Sequence, residues 1–202
     1  MEIKDTFKTI ASPLTEILFK EKNSKFFGYA FPVTNEEEIK SHLNNLRKQH
    51  FGAGHFCYAF QLGTDTVYFR ANDDGEPSNS AGMPIYGQIQ SFGVTNVLVV
   101  VVRFFGGIKL GVGGLISAYK TAAQMALEET VIIEKTINVH FEVSFDYKNM
   151  NKVMRVIKEK NLEIISQQME ENCLIKISTR KKNAEMVFDI FTNLFEVKIQ
   201  KK

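Results

Sequence analysis

The residue types that do chemistry are concentrated between Asn72 and Ala123. Asp73, Asp74, Glu76 and Ser78 fall in Asn72-Asp73-Asp74-Gly75-Glu76-Pro77-Ser78, too rich in turn formers to be helix or strand. Arg103 and Lys109 bracket Phe104-Phe105-Gly106-Gly107-Ile108, and Gly111, Gly113 and Gly114 follow. Each glycine costs about 0.5–1 kcal/mol relative to Ala in regular structure. Such a cluster therefore marks tight turns or a close approach of backbone to a partner. The spacing predicts a helix from Leu115 to about Glu129, so this loop would offer an anion free N–H groups and the positive end of a helix dipole. Lys109 and Lys120 would add point charges. The Gly-x-x-x-x-Gly-Lys-Ser/Thr order is absent, so a nucleoside triphosphate is not specifically indicated. Two readings stay open: contact with phosphate or an RNA backbone, and a tight structural turn under a sheet.

Other chemistries find less support. Asp73, Asp74 and Glu76 are hard oxygen ligands, but EF-hand spacing is missing and acids around a glycine also form turns. No metal and no cofactor is assigned. His55 and Cys57 share a strand face roughly 6–7 Å apart, too far for a direct hydrogen bond. A buried thiol and a partnered histidine are expected instead of a nucleophile. Ser78, Ser80 and Ser117 lack a Gly-x-Ser-x-Gly elbow, so no catalytic residue is assigned. His55 and Ser78 join the three acids as one wall of a possible cleft opposite the glycine loop. Near the C-terminus, Arg180, Lys181, Lys182 and Lys198, with Lys201 and Lys202, are solvated charge or an RNA contact.

These residues need a scaffold. Leu14–Lys20 and Lys25–Val33 read as a hairpin turning at Glu21-Lys22-Asn23-Ser24. Thr34 and Glu37 fit a capping box, with a helix running from there to about His50. His55–Leu62 and Thr66–Ala71 form a second hairpin. Pro84 suits a first helical turn, and Ile85, Ile89 and Phe92 give that helix an apolar face. Asn96–Phe105 is apolar on both faces, as in a strand covered on both sides. Beyond Ile137 the pattern becomes β-α-β-β-α-β, the ferredoxin-like order. Two α+β domains are expected, at residues 1–135 and 136–202.

The 202 residues carry a net charge of +2, too little to imply nucleic acid without a local basic site. Two cysteines make no disulfide framework, which favours a reducing compartment. Met1-Glu2-Ile3-Lys4-Asp5 lacks an apolar signal core and no run is long enough to span a bilayer. A cytoplasmic protein without membrane contact is expected.

The composite of Asn72–Ser78, Ala81-Gly82-x-Pro84 and Arg103-x-Phe105-Gly106-Gly107-Ile108-Lys109-Leu110-Gly111-x-Gly113-Gly114-Leu115 resembles the YigZ/IMPACT family. Ser24-Lys25-Phe26, Gly28-x-Ala30 and His55-x-Cys57-Tyr58-Ala59 resemble its flanking motifs. Phe56 and Phe104 depart from the family pattern, which has Asn and Tyr there. The resemblance implies a first domain similar to elongation factor G domain IV, with a split β-α-β sheet, and a tail similar to its domain V. It also implies a link to translation, which eukaryotic relatives regulate through protein partners, but no reaction. The leading expectation is a non-enzymatic protein that binds RNA or the ribosome. A binder or enzyme for a small phosphorylated metabolite at Gly106–Gly114 and a protein-interaction module are the alternatives.

Overall fold

The computed structural model describes residues 4–202; Met1–Ile3, included above in the signal-core argument, lie outside it. The chain divides into two compact units. One is Phe7–Lys135, and the other is Thr136–Lys202 with the N-terminal stretch up to Thr6. β1 (Thr6–Ile10) and β7 (Ile132–Thr136) pair as a two-stranded ribbon.

The larger unit is built on a five-stranded antiparallel sheet. Its strands are β2 (Leu14–Glu21), β3 (Ser24–Pro32), β4 (His55–Leu62), β5 (Tyr68–Asn72) and β6 (Val97–Phe104), in the order β2-β3-β6-β4-β5. The central strand β6 is buried from Val97 to Arg103, which is why it reads as an unbroken β-branched run. Side chains alternate along it. Val97, Val99 and Val101 pack with α2 (Gly82–Phe92) and α3 (Gly111–Glu128), whereas Leu98, Val100 and Val102 share a core with Ile39 and Leu46 of α1 (Glu36–Gln49). Small residues of α3 let it lie close to the sheet: a Cβ on Gly28 would come 2.9 Å from the Ala122 carbonyl oxygen.

Two expected boundaries shift. The cap of α1 is Asn35, not Thr34; its side chain accepts from Glu38 N–H at 2.9 Å, while Glu38 reaches back to the Thr34 N–H at 2.7 Å. Those bonds hold the Glu38 carboxyl below its ordinary pKa. Helix α3 begins at Gly111 rather than Leu115, so Gly113 and Gly114 form its first turn and the true loop is residues 105–110.

In the smaller unit β8 (Asn138–Asp146), α4 (Met150–Glu159), β9 (Glu163–Gln168), β10 (Asn172–Arg180), α5 (Ala184–Thr192) and β11 (Val197–Lys201) follow in turn. The antiparallel sheet has the order β11-β8-β10-β9. Phe141, Val143, Phe145, Cys173, Ile175 and Ile177 form its core with Val153, Val187 and Phe191 of the helices. Among the described residues no helix is long and apolar enough to cross a membrane.

Candidate functional site

The alternation of β6 that buries Val99 and Val101 also aims Arg103 toward α3, and its side chain is only 6% exposed. A buried guanidinium requires a counter-charge. Glu76 supplies it: Arg103 Nη1 donates to Glu76 Oε1 at 2.6 Å, and the Tyr119 hydroxyl donates to the same oxygen at 2.8 Å. Arg103 Nη2 reaches Ser24 Oγ at 3.4 Å, and Nε has no acceptor among the described residues. One carboxylate therefore carries nearly all the neutralisation. Arg103, expected to bind an external anion, is an internal strut joining β6, β3, α3 and the acidic loop.

The acids of that loop are likewise committed internally. Asp73 accepts from the N–H groups of Asn79, Ala81 and Gly82, at 2.9, 2.9 and 2.8 Å, which folds the loop and satisfies the amino end of α2. Asp74 pairs with Arg47 at 3.0 Å and accepts from the Phe56 N–H at 2.6 Å. His55 Nδ1 donates to the Asp74 carbonyl at 2.9 Å, and its Nε2 lies 3.9 Å from Glu76. Ser78 is exposed and joins none of these bonds. Among the described residues no group of three His, Cys, Asp or Glu is placed to hold a metal ion. Cys57 donates to the Asp73 carbonyl at 3.0 Å, and burial pushes its thiol pKa well up, so it rests as a thiol.

The glycines divide by role. Gly106 packs so tightly on the Asn23 and Ser24 backbone that any Cβ would overlap it, and its N–H donates to Ser24 Oγ at 3.2 Å. This clamps the turn between β2 and β3 against residues 105–107. Gly111, at φ +72°, turns the chain into α3. Gly113 and Gly114 have ordinary helical backbones, and no side chain caps the helix at Leu110. Gly107 and Lys109 are exposed in the loop. Lys120 is on α3 but lines a different cavity, with Gln88, Ser91 and Gln124.

Two cavities flank this loop. One, of about 410 Å³, is lined by Glu76, Pro77, Arg103, Phe105, Lys109, Leu110, Gly111, Val112 and Leu115. The other, of about 310 Å³, is lined by Asn23, Lys25, Phe27, His50, Phe104 and Phe105. Phe105 belongs to both and is 55% exposed. Lys20, Lys22 and Lys25 are exposed on the clamped hairpin, with Lys20 directly across from Lys25. The local basic surface thus comprises Lys20, Lys22, Lys25 and Lys109, of which only Lys109 is legible as a binding candidate in the sequence.

With this geometry in place, residues 22–127 match the Impact N-terminal domain. The chain belongs to the IMPACT family. The IMPACT family member YvyE of Bacillus subtilis (strain 168) is 30% identical over 173 residues, covering 86% of this chain and 80% of the relative. An IMPACT family member of Haemophilus influenzae is 31% identical over 180 residues, covering 86% of each. A crystal structure described as that of a hypothetical protein has the same fold, with a TM-score of 0.74 over 98% of this chain and 97% of its own, at 24% identity. The two departures from the family pattern both fall on the α1 side of the sheet. Phe56 is buried under the Arg47 guanidinium, 4.6 Å from its ring centroid, and Phe104 packs on Phe27 and His50.

The basic residues of the smaller unit do not form one patch. Arg180 and Lys182 both reach Asp5, at 3.1 and 3.9 Å. Lys198 pairs across from Ser144 and Arg180 across from Asn138. That separation along β8 is about 20 Å at the usual rise per residue. Lys181, beside Arg180 and Lys182 in sequence, sits in the single turn before α5.

Proposed function

We propose that this protein is a translation-associated factor that contacts single-stranded RNA, ribosomal RNA included, through the 105–110 loop and the β2–β3 turn. The observation that carries the proposal is Phe105, an exposed aromatic between two cavities, with Lys109 lining one and Lys25 the other. Aromatic faces for stacking combined with lysines tracking phosphates are the usual means of holding single-stranded RNA. The uncapped amino end of α3 adds free N–H groups on the Lys109 side. Family membership supports the translation link through the resemblance described above. So does the topology. β6 lies between β3 and β4, which makes β3-α1-β4 a split crossover like that of elongation factor G domain IV. The β11-β8-β10-β9 order of the smaller unit is that of a ferredoxin-like domain such as domain V. No catalytic role is assigned.

The test is filter binding of structured and single-stranded RNA across a salt series. If Lys20, Lys22, Lys25 and Lys109 each neutralise one phosphate, log K should fall with log salt at a slope of about −3, from about 0.7 per contact. Lys25→Gln and Lys109→Gln should each flatten it by about 0.7. Absence of binding at low salt, to RNA and to ribosomes alike, defeats the proposal.

A further inference from the structure

We propose that the cavity lined by Asn23, Lys25, Phe27, His50, Phe104 and Phe105 is a pocket for a single unstacked nucleobase. This rests on the RNA reading above and adds a base-holding element to a surface otherwise described by charge and one aromatic. The cavity, about 310 Å³, stands at the small end for ligand sites. Its floor is a packed set of rings. Phe27 and His50 have centroids 5.0 Å apart, Phe27 and Phe104 5.8 Å, and His50 and Phe104 5.9 Å. Aromatic rings are the side chains on which bases stack.

The polar groups also suit a base edge. The Tyr29 hydroxyl donates to Glu16 Oε2 at 2.5 Å, so it accepts from His50 Nε2 at 2.5 Å. That places the His50 proton on Nε2 and leaves Nδ1 as an acceptor. Burial lowers the His50 pKa, which favours this neutral form. Lys25 contributes a donor, and the Asn23 amide both functions. A site for phosphate alone would have no use for aromatic walls. Gly106, pressed on the Asn23 backbone, holds the two loops of the pocket together before any ligand arrives. Phe105 links the pocket to the Lys109 cavity, so the base and a backbone phosphate of one strand have adjacent places.

The experiment uses the full chain and labelled oligomers of equal length and charge. One is fully abasic, the second is abasic except for one 2-aminopurine, and the third is ordinary RNA. The single base should tighten binding over the abasic oligomer by about fivefold or more, and its emission should drop as it stacks. In Phe104→Leu, which removes a ring of the floor and whose folding urea unfolding checks, that preference should collapse to less than about twofold. Equal binding of the abasic and 2-aminopurine oligomers, with unchanged emission, overturns the pocket while salt-dependent binding leaves the RNA reading standing. A base preference that survives in a folded Phe104→Leu places the base elsewhere and also overturns it. If none of the three oligomers binds, both readings fall.

Discussion

Replacing Glu76 by Gln keeps the shape of the side chain and deletes its charge. The carboxylate is 4% exposed and takes hydrogen bonds from Arg103 at 2.6 Å and Tyr119 at 2.8 Å. The amide oxygen can still accept from Arg103 and Tyr119, but the buried cation is left with no counter-charge, only that neutral acceptor, the long contact to Ser24 and the rings of Phe26 and Phe105. Removing one partner of a buried ion pair costs about 3–5 kcal/mol. The loss is a large share of the roughly 5–15 kcal/mol that stabilises a domain. Tyr119→Phe, which removes one neutral donor, should cost about 1 kcal/mol. Glu76→Gln combined with Arg103→Met should recover at least about 2 kcal/mol of the single-variant loss, because no unpaired charge remains buried. Five of the six tyrosines, all but Tyr147, lie in Phe7–Lys135, so tyrosine emission during urea unfolding reports on that unit. With a slope of about 2 kcal/mol per molar urea, the midpoint of Glu76→Gln should fall by about 1.5–2.5 M. A shift below about 0.5 M, with the double variant no better than the single one, would refute the account of Glu76 as the counter-charge that holds this end of the sheet together.

The same protein should lose stability on acidification. Burial depresses the pKa of His50 and of His42, so the unfolded chain binds more protons and stability falls as pH drops through the unfolded value of about 6.5. Thermal melts from about pH 7.5 to 5.5 should show this, and His50→Gln should have a shallower slope; equal slopes would remove His50 from the explanation. Gly106→Ala must push the Asn23 backbone aside and should cost about 1–3 kcal/mol by urea unfolding; an unchanged midpoint would show that the turn is not clamped. Gly114→Asp lies in the first turn of α3 with an ordinary backbone angle and only the Leu110 Cβ within 3.1 Å of a new Cβ. It should leave stability level or raise it by about 0.3–1 kcal/mol while weakening RNA binding in filter assays, and unchanged affinity would exclude the amino end of α3 from the contact.

The strands and helices were legible in this chain because their signals are local. Val97–Val102 announces a strand buried on two faces, and β4 begins and ends at His55 and Leu62 as the hairpin reading expects. The cap of α1 was ambiguous by one residue, since Thr34–Glu37 and Asn35–Glu38 satisfy the same spacing, and only the folded geometry selects Asn35. Strand β1 escaped because its partner, β7, lies at the far end of the larger unit. The site misled for a physical reason. A cation beside glycines suggests an anion binder, yet Arg103 shares the face of Val99 and Val101, and its counter-ion is 27 positions away in a polar loop. Period two along β6 could have predicted the burial, but nothing local names the partner. Conversely, Lys20, Lys22 and Lys25 drew no attention because about eighty residues separate them from the glycine loop. What joins them to it is the missing side chain of Gly106, which lets residues 105–107 pack directly on the Asn23–Ser24 backbone. Thus Arg103, three residues before the first glycine, is consumed inside the protein, while Lys109 within the loop stays exposed. The other three charges free to meet a ligand arrive from another hairpin, through a contact that only a glycine permits.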